Sequence, residues 1–110
     1  MKKKHLKFLK QLVETPSPTA FEEPAAALVR ERLADVADEV AMGSVRAVLE
    51  GRDAGAPSLM LAAHMDEIGL MVTYISDEGF LSVASLGGVD AAILPGMRVD
   101  VHTASGTLRG

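Results

Sequence analysis

The chain has no cysteine and no tryptophan. Disulfides, zinc–thiolate sites and cysteine nucleophiles are therefore excluded. Aromatic residues are scarce: three phenylalanines and one tyrosine leave no sugar-stacking platform. No paired carboxylates stand at a spacing that suggests a glycosidase. The formal net charge is −4, without the basic excess of a protein that neutralises phosphates, so no nucleic-acid partner is expected. No apolar run reaches the eighteen or so residues of a membrane span. The basic start MKKKHLKFLKQLVE is interrupted by Lys7, Lys10 and Gln11, so it has no continuous apolar core of a signal peptide and no small-residue cleavage site. The reading is a soluble, unprocessed, cytoplasmic chain. There is no internal repeat and no low-complexity segment.

What is present is ordinary globular material. In 110 residues, 48% are apolar and 24% charged, enough for one small domain or a piece of a larger one. Leu6, Leu9 and Val13 recur at helical spacing, widened by Phe8 and Leu12, and predict a helix over 2–14. Thr15-Pro16-Ser17-Pro18 stops it, because each proline pushes its predecessor out of the helical region. Thr19 and Glu22 have the spacing of a capping box, and Ala26, Val29, Leu33 and Val36 form one face, so a second helix is expected over 20–37. Pro24 fits better if the regular helix begins near Glu23. Alternation from Ser44 to Leu49 predicts a half-buried strand. After the loop 51–57, Ser58 to Ala63 reads as a strand covered on both faces. Leu70 to Ile75, Phe80 to Leu86 and Met97 to Thr103 read as strands, with Thr107 to Arg109 beginning another. Turn signals at Asp77-Glu78-Gly79, Gly87-Gly88 and Ser105-Gly106 separate them. Two helices and two strands followed by close hairpins make an incomplete α/β layer, as though cut from a longer protein.

The chemistry concentrates where the apolar run Leu59–Ala63 ends, in His64, Asp66 and Glu67. Ligands gather at the carboxyl ends of strands in open α/β sheets. Two residues apart on extended chain, His64 and Asp66 point to one side. A neutral imidazole can bind a metal through one nitrogen while a carboxylate holds the other. Spacing alone leaves open a plain hydrogen-bonded surface histidine. Glu67 points to the other side and reads as a solvated or salt-bridged acid. His102 lies on the polar face of a strand and His5 in a lysine-rich first turn; both read as solvated. Met60, Met65, Met71 and Met97 read as packing.

The stretch Ala63-His64-Met65-Asp66-Glu67-Ile68-Gly69-Leu70-Met71-Val72 resembles the signature of the tetrahedral metalloaminopeptidases, metallopeptidase family forty-two. Its members are also known as glutamyl or deblocking aminopeptidases and are sometimes called endoglucanases. Thr15-Pro16-Ser17-Pro18-Thr19-Ala20-Phe21-Glu22-Glu23 resembles the family's turn before its second helix. Asp77-Glu78-Gly79-Phe80-Leu81, Gly87-Gly88-Val89-Asp90 and Leu94-Pro95-Gly96-Met97-Arg98-Val99 resemble the start of its inserted β domain. The family often has glycine where Ala20 stands, and Gly-Asn where Gly43-Ser44 stands.

The resemblance implies an α/β fold: the N-terminal part of a two-metal peptidase (phosphorylase/hydrolase-like) domain over 1–67, leading into an inserted β-barrel-like domain over 68–110. It implies that His64 is a metal ligand and Asp66 the catalytic-site acid that orients it. Two divalent metal ions, zinc or cobalt, would activate water in the complete enzyme, with the remaining ligands and a glutamate base beyond Gly110. It also implies a peptide substrate and a homo-oligomer, a dodecamer. One histidine and one aspartate cannot hold two metals, so the 110 residues alone are expected to be inactive. Two other readings stay open: another two-metal hydrolase, such as a carboxypeptidase or deacylase, with the same His-x-Asp strand end, and a non-catalytic truncated or oligomerisation fragment.

Overall fold

The computed structural model describes residues 2–41, 44–53 and 55–110. It opens with α1 (Lys3–Val13), as the apolar spacing predicts. The Thr15 hydroxyl donates to the Gln11 carbonyl as the helix ends (2.7 Å). A proline-bounded turn then leads into α2 (Glu23–Arg32), with Pro24 in its first turn, where a missing N–H costs nothing. The two helices touch where the Arg32 guanidinium lies over the Phe8 ring, 5.8 Å from its centroid.

Helix α2 is shorter than expected. It ends at Arg32, and residues Ala37–Ala41 form β1, antiparallel to β2 (Ser44–Ala47). Strand pairing decides this boundary. The helical spacing of Val29, Leu33 and Val36 continues past Arg32, but the Val36 carbonyl accepts from Val48 N–H at 3.2 Å and joins the extended pair instead. The expected capping box is also absent. Glu22 occupies the cap position without a side-chain bond to the helix, and its Oε1 accepts from Ala20 N–H at 2.7 Å. Gly43 lies outside the described residues.

The expected strand at Ser58–Ala63 forms no ladder among the described residues. Leu59, Met60 and Leu61 are 85%, 86% and 88% exposed. A run apolar on both faces becomes a strand when neighbours pair with it and cover it. Here an open cleft of about 970 Å³ separates it from β2 and the residues after β2.

The second half consists of hairpins, as the turn signals predict. Strand β3 (Gly69–Ile75) pairs antiparallel with β4 (Leu81–Leu86), with a register shift between Val72 and Tyr74. Their connection turns at Gly79, whose φ of +86° suits a residue without Cβ. A short 3-10 helix, Ala91–Ile93, is capped by Asp90, which accepts from Ala92 N–H at 2.9 Å. Strand β5 (Asp100–Thr103) then pairs with β6 (Gly106–Arg109).

Asp100 and Arg109 face each other across the β5–β6 ladder and pair through two contacts, Nε to Oδ1 at 2.9 Å and Nη2 to Oδ2 at 3.3 Å. Arg109 holds the Asp100 carboxyl below its ordinary value, and Asp100 raises Arg109 in return. A carboxyl depressed on folding stabilises the hairpin fully above its unfolded pKa of about 3.9, and the contribution disappears as pH falls through the folded pKa. The amide resonances of Asp100 and Arg109 should therefore shift together in an acid titration below about pH 3.9. Asp100→Asn should remove that step, and a step retained in this variant would refute the assignment.

Candidate functional site

The site is built where the turn after α1 meets the chain before β3. Pro16 and Pro18 flank Ser17, and a residue before proline is held extended. Extended backbone at Ser17 lets it bond the 65–67 segment like a strand. Its N–H donates to Glu67 Oε1 (2.9 Å), its carbonyl accepts from Glu67 N–H (2.9 Å), and its hydroxyl donates to the Met65 carbonyl (2.9 Å). Pro18 and Glu67 form a parallel bridge. Ser17 is only 5% exposed, the one polar residue buried among those described. Its buried polar groups are thus satisfied, as burial requires.

The next residues bend. The Pro18 carbonyl accepts from Phe21 N–H at 2.8 Å, closing a four-residue turn, and Ala20 at its third position has φ +72°. That position favours glycine. Thr19 projects from the same turn and donates through Oγ1 to Asp66 Oδ2 at 2.9 Å. The Thr19–Glu22 spacing is that of a capping box, but in the fold the Thr19 hydroxyl goes to Asp66 instead.

His64 and Asp66 come together as the spacing predicts. His64 Nδ1 lies 3.0 Å from Asp66 Oδ1 and 3.0 Å from the Asp66 carbonyl. Both are acceptors, so Nδ1 carries the proton of the neutral ring and the Nε2 lone pair is left exposed. The His64 side chain is 86% exposed. The Asp66 carboxyl is held below its ordinary value, first by the Thr19 hydroxyl and then by the bond from His64. Glu67, read from the sequence as solvated or salt-bridged, caps the Ser17 backbone. A small hollow beside the pair is lined by Thr19, His64, Asp66, Glu67, Ile68 and Gly87.

His102, read as solvated, is exposed but not isolated. Its ring stacks on Phe21, centroids 5.7 Å apart and planes 16° from parallel, and Nδ1 lies 3.2 Å from Thr107 Oγ1. The β5–β6 hairpin thereby leans on the turn that carries Thr19. No sequence spacing signals that contact. Among the described residues no group of three or more His, Cys, Asp or Glu is placed to hold a metal ion. The donor set fits a metal only as a single imidazole contributed to a shared site.

An exposed imidazole with a fixed tautomer and a carboxylate behind it, at the end of an apolar segment, can offer one nitrogen to a cation. Residues 43–110 match the family model described as M42 glutamyl aminopeptidase, and the chain belongs to that family. It is 37% identical over 103 residues to a lysyl aminopeptidase of Pyrococcus furiosus, covering 93% of this chain and 30% of that protein. It is 30% identical over 101 residues to a glutamyl aminopeptidase of Lactococcus lactis subsp. cremoris, covering 89% of this chain and 28% of that one. The fold is similar to the crystal structure of a TET aminopeptidase from the marine sediment archaeon Thaumarchaeota archaeon SCGC AB-539-E09, at a TM-score of 0.85 and 37% identity, covering 97% of this chain and 30% of the other. The chain thus spans about 30% of the length of these relatives. The mixture of helices and strands agrees with an α/β peptidase domain.

Two substitutions at the turn should act in opposite directions. A Cβ on Gly69 would stand 3.0 Å from Pro18 Cβ, and Pro18 is tied into the bridge to Glu67 and cannot easily retreat. Gly69→Ala should therefore speed hydrogen exchange at Glu67 N–H. Ala20→Gly removes a left-handed alanine, whose cost of roughly 1–2 kcal/mol exceeds the entropy glycine adds, and should slow the same exchange a few-fold. Native-state exchange by NMR checks both, and equal rates in the three proteins would refute the argument.

Proposed function

We propose that this chain is the part of a metal-dependent aminopeptidase that brings one metal ligand, His64, and its orienting acid, Asp66, to a site completed by further chain. The observation that supports this reading is the pair of acceptors on His64 Nδ1, which leaves Nε2 available to a cation. Asp66 fixes the tautomer and orientation of the ring. Two divalent ions, zinc or cobalt by choice of ligand type, would supply Lewis-acid activation of water and of the scissile carbonyl when bound. The substrate would be a peptide, shortened from its N-terminus. The general base would be a glutamate outside these residues, as the resemblance implies; Glu67 is engaged with the Ser17 backbone. Residues 1–67 would belong to the peptidase domain and 68–110 to the start of an inserted β domain. The assembly would be a cytoplasmic homo-oligomer, a dodecamer as the resemblance implies. No helix among the described residues is long and apolar enough to cross a membrane.

The 110-residue chain by itself should be inactive, because a single imidazole cannot hold a metal pair. The test uses the full-length protein from its native source beside the 110-residue chain, both assayed with aminoacyl-p-nitroanilides. The full-length protein should lose activity to a chelator and regain it with zinc or cobalt, and His64→Ala should abolish it. The shorter chain should show no hydrolysis. Chelator-resistant activity, or full activity in His64→Ala, would overturn the reading.

A further inference from the structure

Asp66 can orient His64 only if its own carboxylate is held. The Asp66 side chain is 36% exposed, so packing does not fix its rotation. Its two oxygens have separate partners: Oδ1 faces His64 Nδ1, and Oδ2 accepts from the Thr19 hydroxyl at 2.9 Å. An ionised carboxylate is acceptor-only, so a donor on one oxygen defines the plane in which the other meets the ring. Thr19 is itself well placed. It follows Pro18, whose bridge to Glu67 ties it to the site segment, and it precedes the left-handed Ala20 that closes the turn.

We propose that Thr19 is a positioning residue: its hydroxyl holds Asp66 Oδ2 so that Oδ1 stays on His64 Nδ1–H and Nε2 stays bare for a divalent cation. The proposal rests on the aminopeptidase reading only in its last clause. Thr19 acts through Asp66, and its methyl group takes no part, so serine should replace it and valine should not. A threonine that merely supported the turn would behave differently, because its removal would do the same harm with or without Asp66.

The experiment compares wild type, Thr19→Val, Thr19→Ser and both valine and threonine forms in an Asp66→Ala background. The tautomer ratio of neutral His64 is read from its ring nitrogen shifts in the metal-free protein. Zinc affinity of the full-length protein is read by competition with a chromophoric chelator. Thr19→Val should raise the Nε2–H tautomer several-fold and weaken zinc binding by about 10-fold, the lower end of the effect of losing an outer-shell partner. Thr19→Ser should restore both. In the Asp66→Ala background Thr19→Val should change neither, because the two residues act as one unit. An unchanged tautomer ratio in Thr19→Val, or an equal loss with Asp66 already removed, would overturn the proposal. If the wild-type full-length protein takes up no zinc, the aminopeptidase reading fails, and the tautomer ratio still decides the role of Thr19.

Discussion

Four hydrogen bonds join the Ser17–Thr19 turn to the Met65–Glu67 segment, and the candidate site exists because of them. The two stretches are about fifty residues apart in the chain. Three of the bonds involve Ser17: one joins backbone to backbone, one runs from its N–H to the Glu67 carboxylate, and one from its hydroxyl to the Met65 carbonyl. The fourth, from Thr19, reaches into the site. The prolines on either side make Ser17 extended before any partner arrives, so the turn loses little further freedom when it docks. Removing that extended residue would leave His64 and Asp66 on an unanchored connection between two halves of the molecule.

The anchoring matters more because apolar packing is thin. Only Ala25 and Ala26 are buried apolar residues among those described. The radius of gyration is 18.3 Å, against about 13 Å for a compact chain of this length. Large apolar side chains on the 59–61 segment and on both β3 and β4 face solvent. Within these residues the site is therefore located by directional polar bonds, and the hydrophobic burial that usually dominates folding is not made here. The chain spans about 30% of its relatives' length.

What the sequence discloses follows the range of the interaction. Helix α1 and the two hairpins were legible because helical spacing and turn residues act locally. The His64–Asp66 pair was legible for the same reason, since two residues of extended chain suffice to align it. Strand β1 and the end of α2 were not, because the pairing that takes Val36 and Ala37 out of the helix depends on residues beyond Ser44. The segment 58–63 misled in the opposite sense: its composition is that of a covered strand, but a ladder needs partners that composition does not supply. Thr19 was misread for a similar reason. A threonine three residues before a glutamate looks like a cap, and only the fold brings Asp66 close enough to compete for its hydroxyl. The left-handed backbone at Ala20 is set by the turn closed between Pro18 and Phe21, and nothing in an alanine announces it.

Asp66 and Glu67 show how the clamp separates neighbouring acids into different roles. They carry the same functional group one residue apart. Glu67 has a side chain one methylene longer and accepts from the Ser17 N–H, beside the reciprocal bond from its own N–H to the Ser17 carbonyl. It is thereby spent on holding the two segments in register. Asp66, shorter and flanked by His64 and Thr19, has both oxygens turned to the side chains of the site. Exchanging the two would leave the Ser17 N–H without its carboxylate and put the longer, less constrained acid behind the imidazole. The division between the acid that builds the site and the acid that tunes it therefore rests on chain direction and side-chain length together, and both are set by the register that Ser17 imposes.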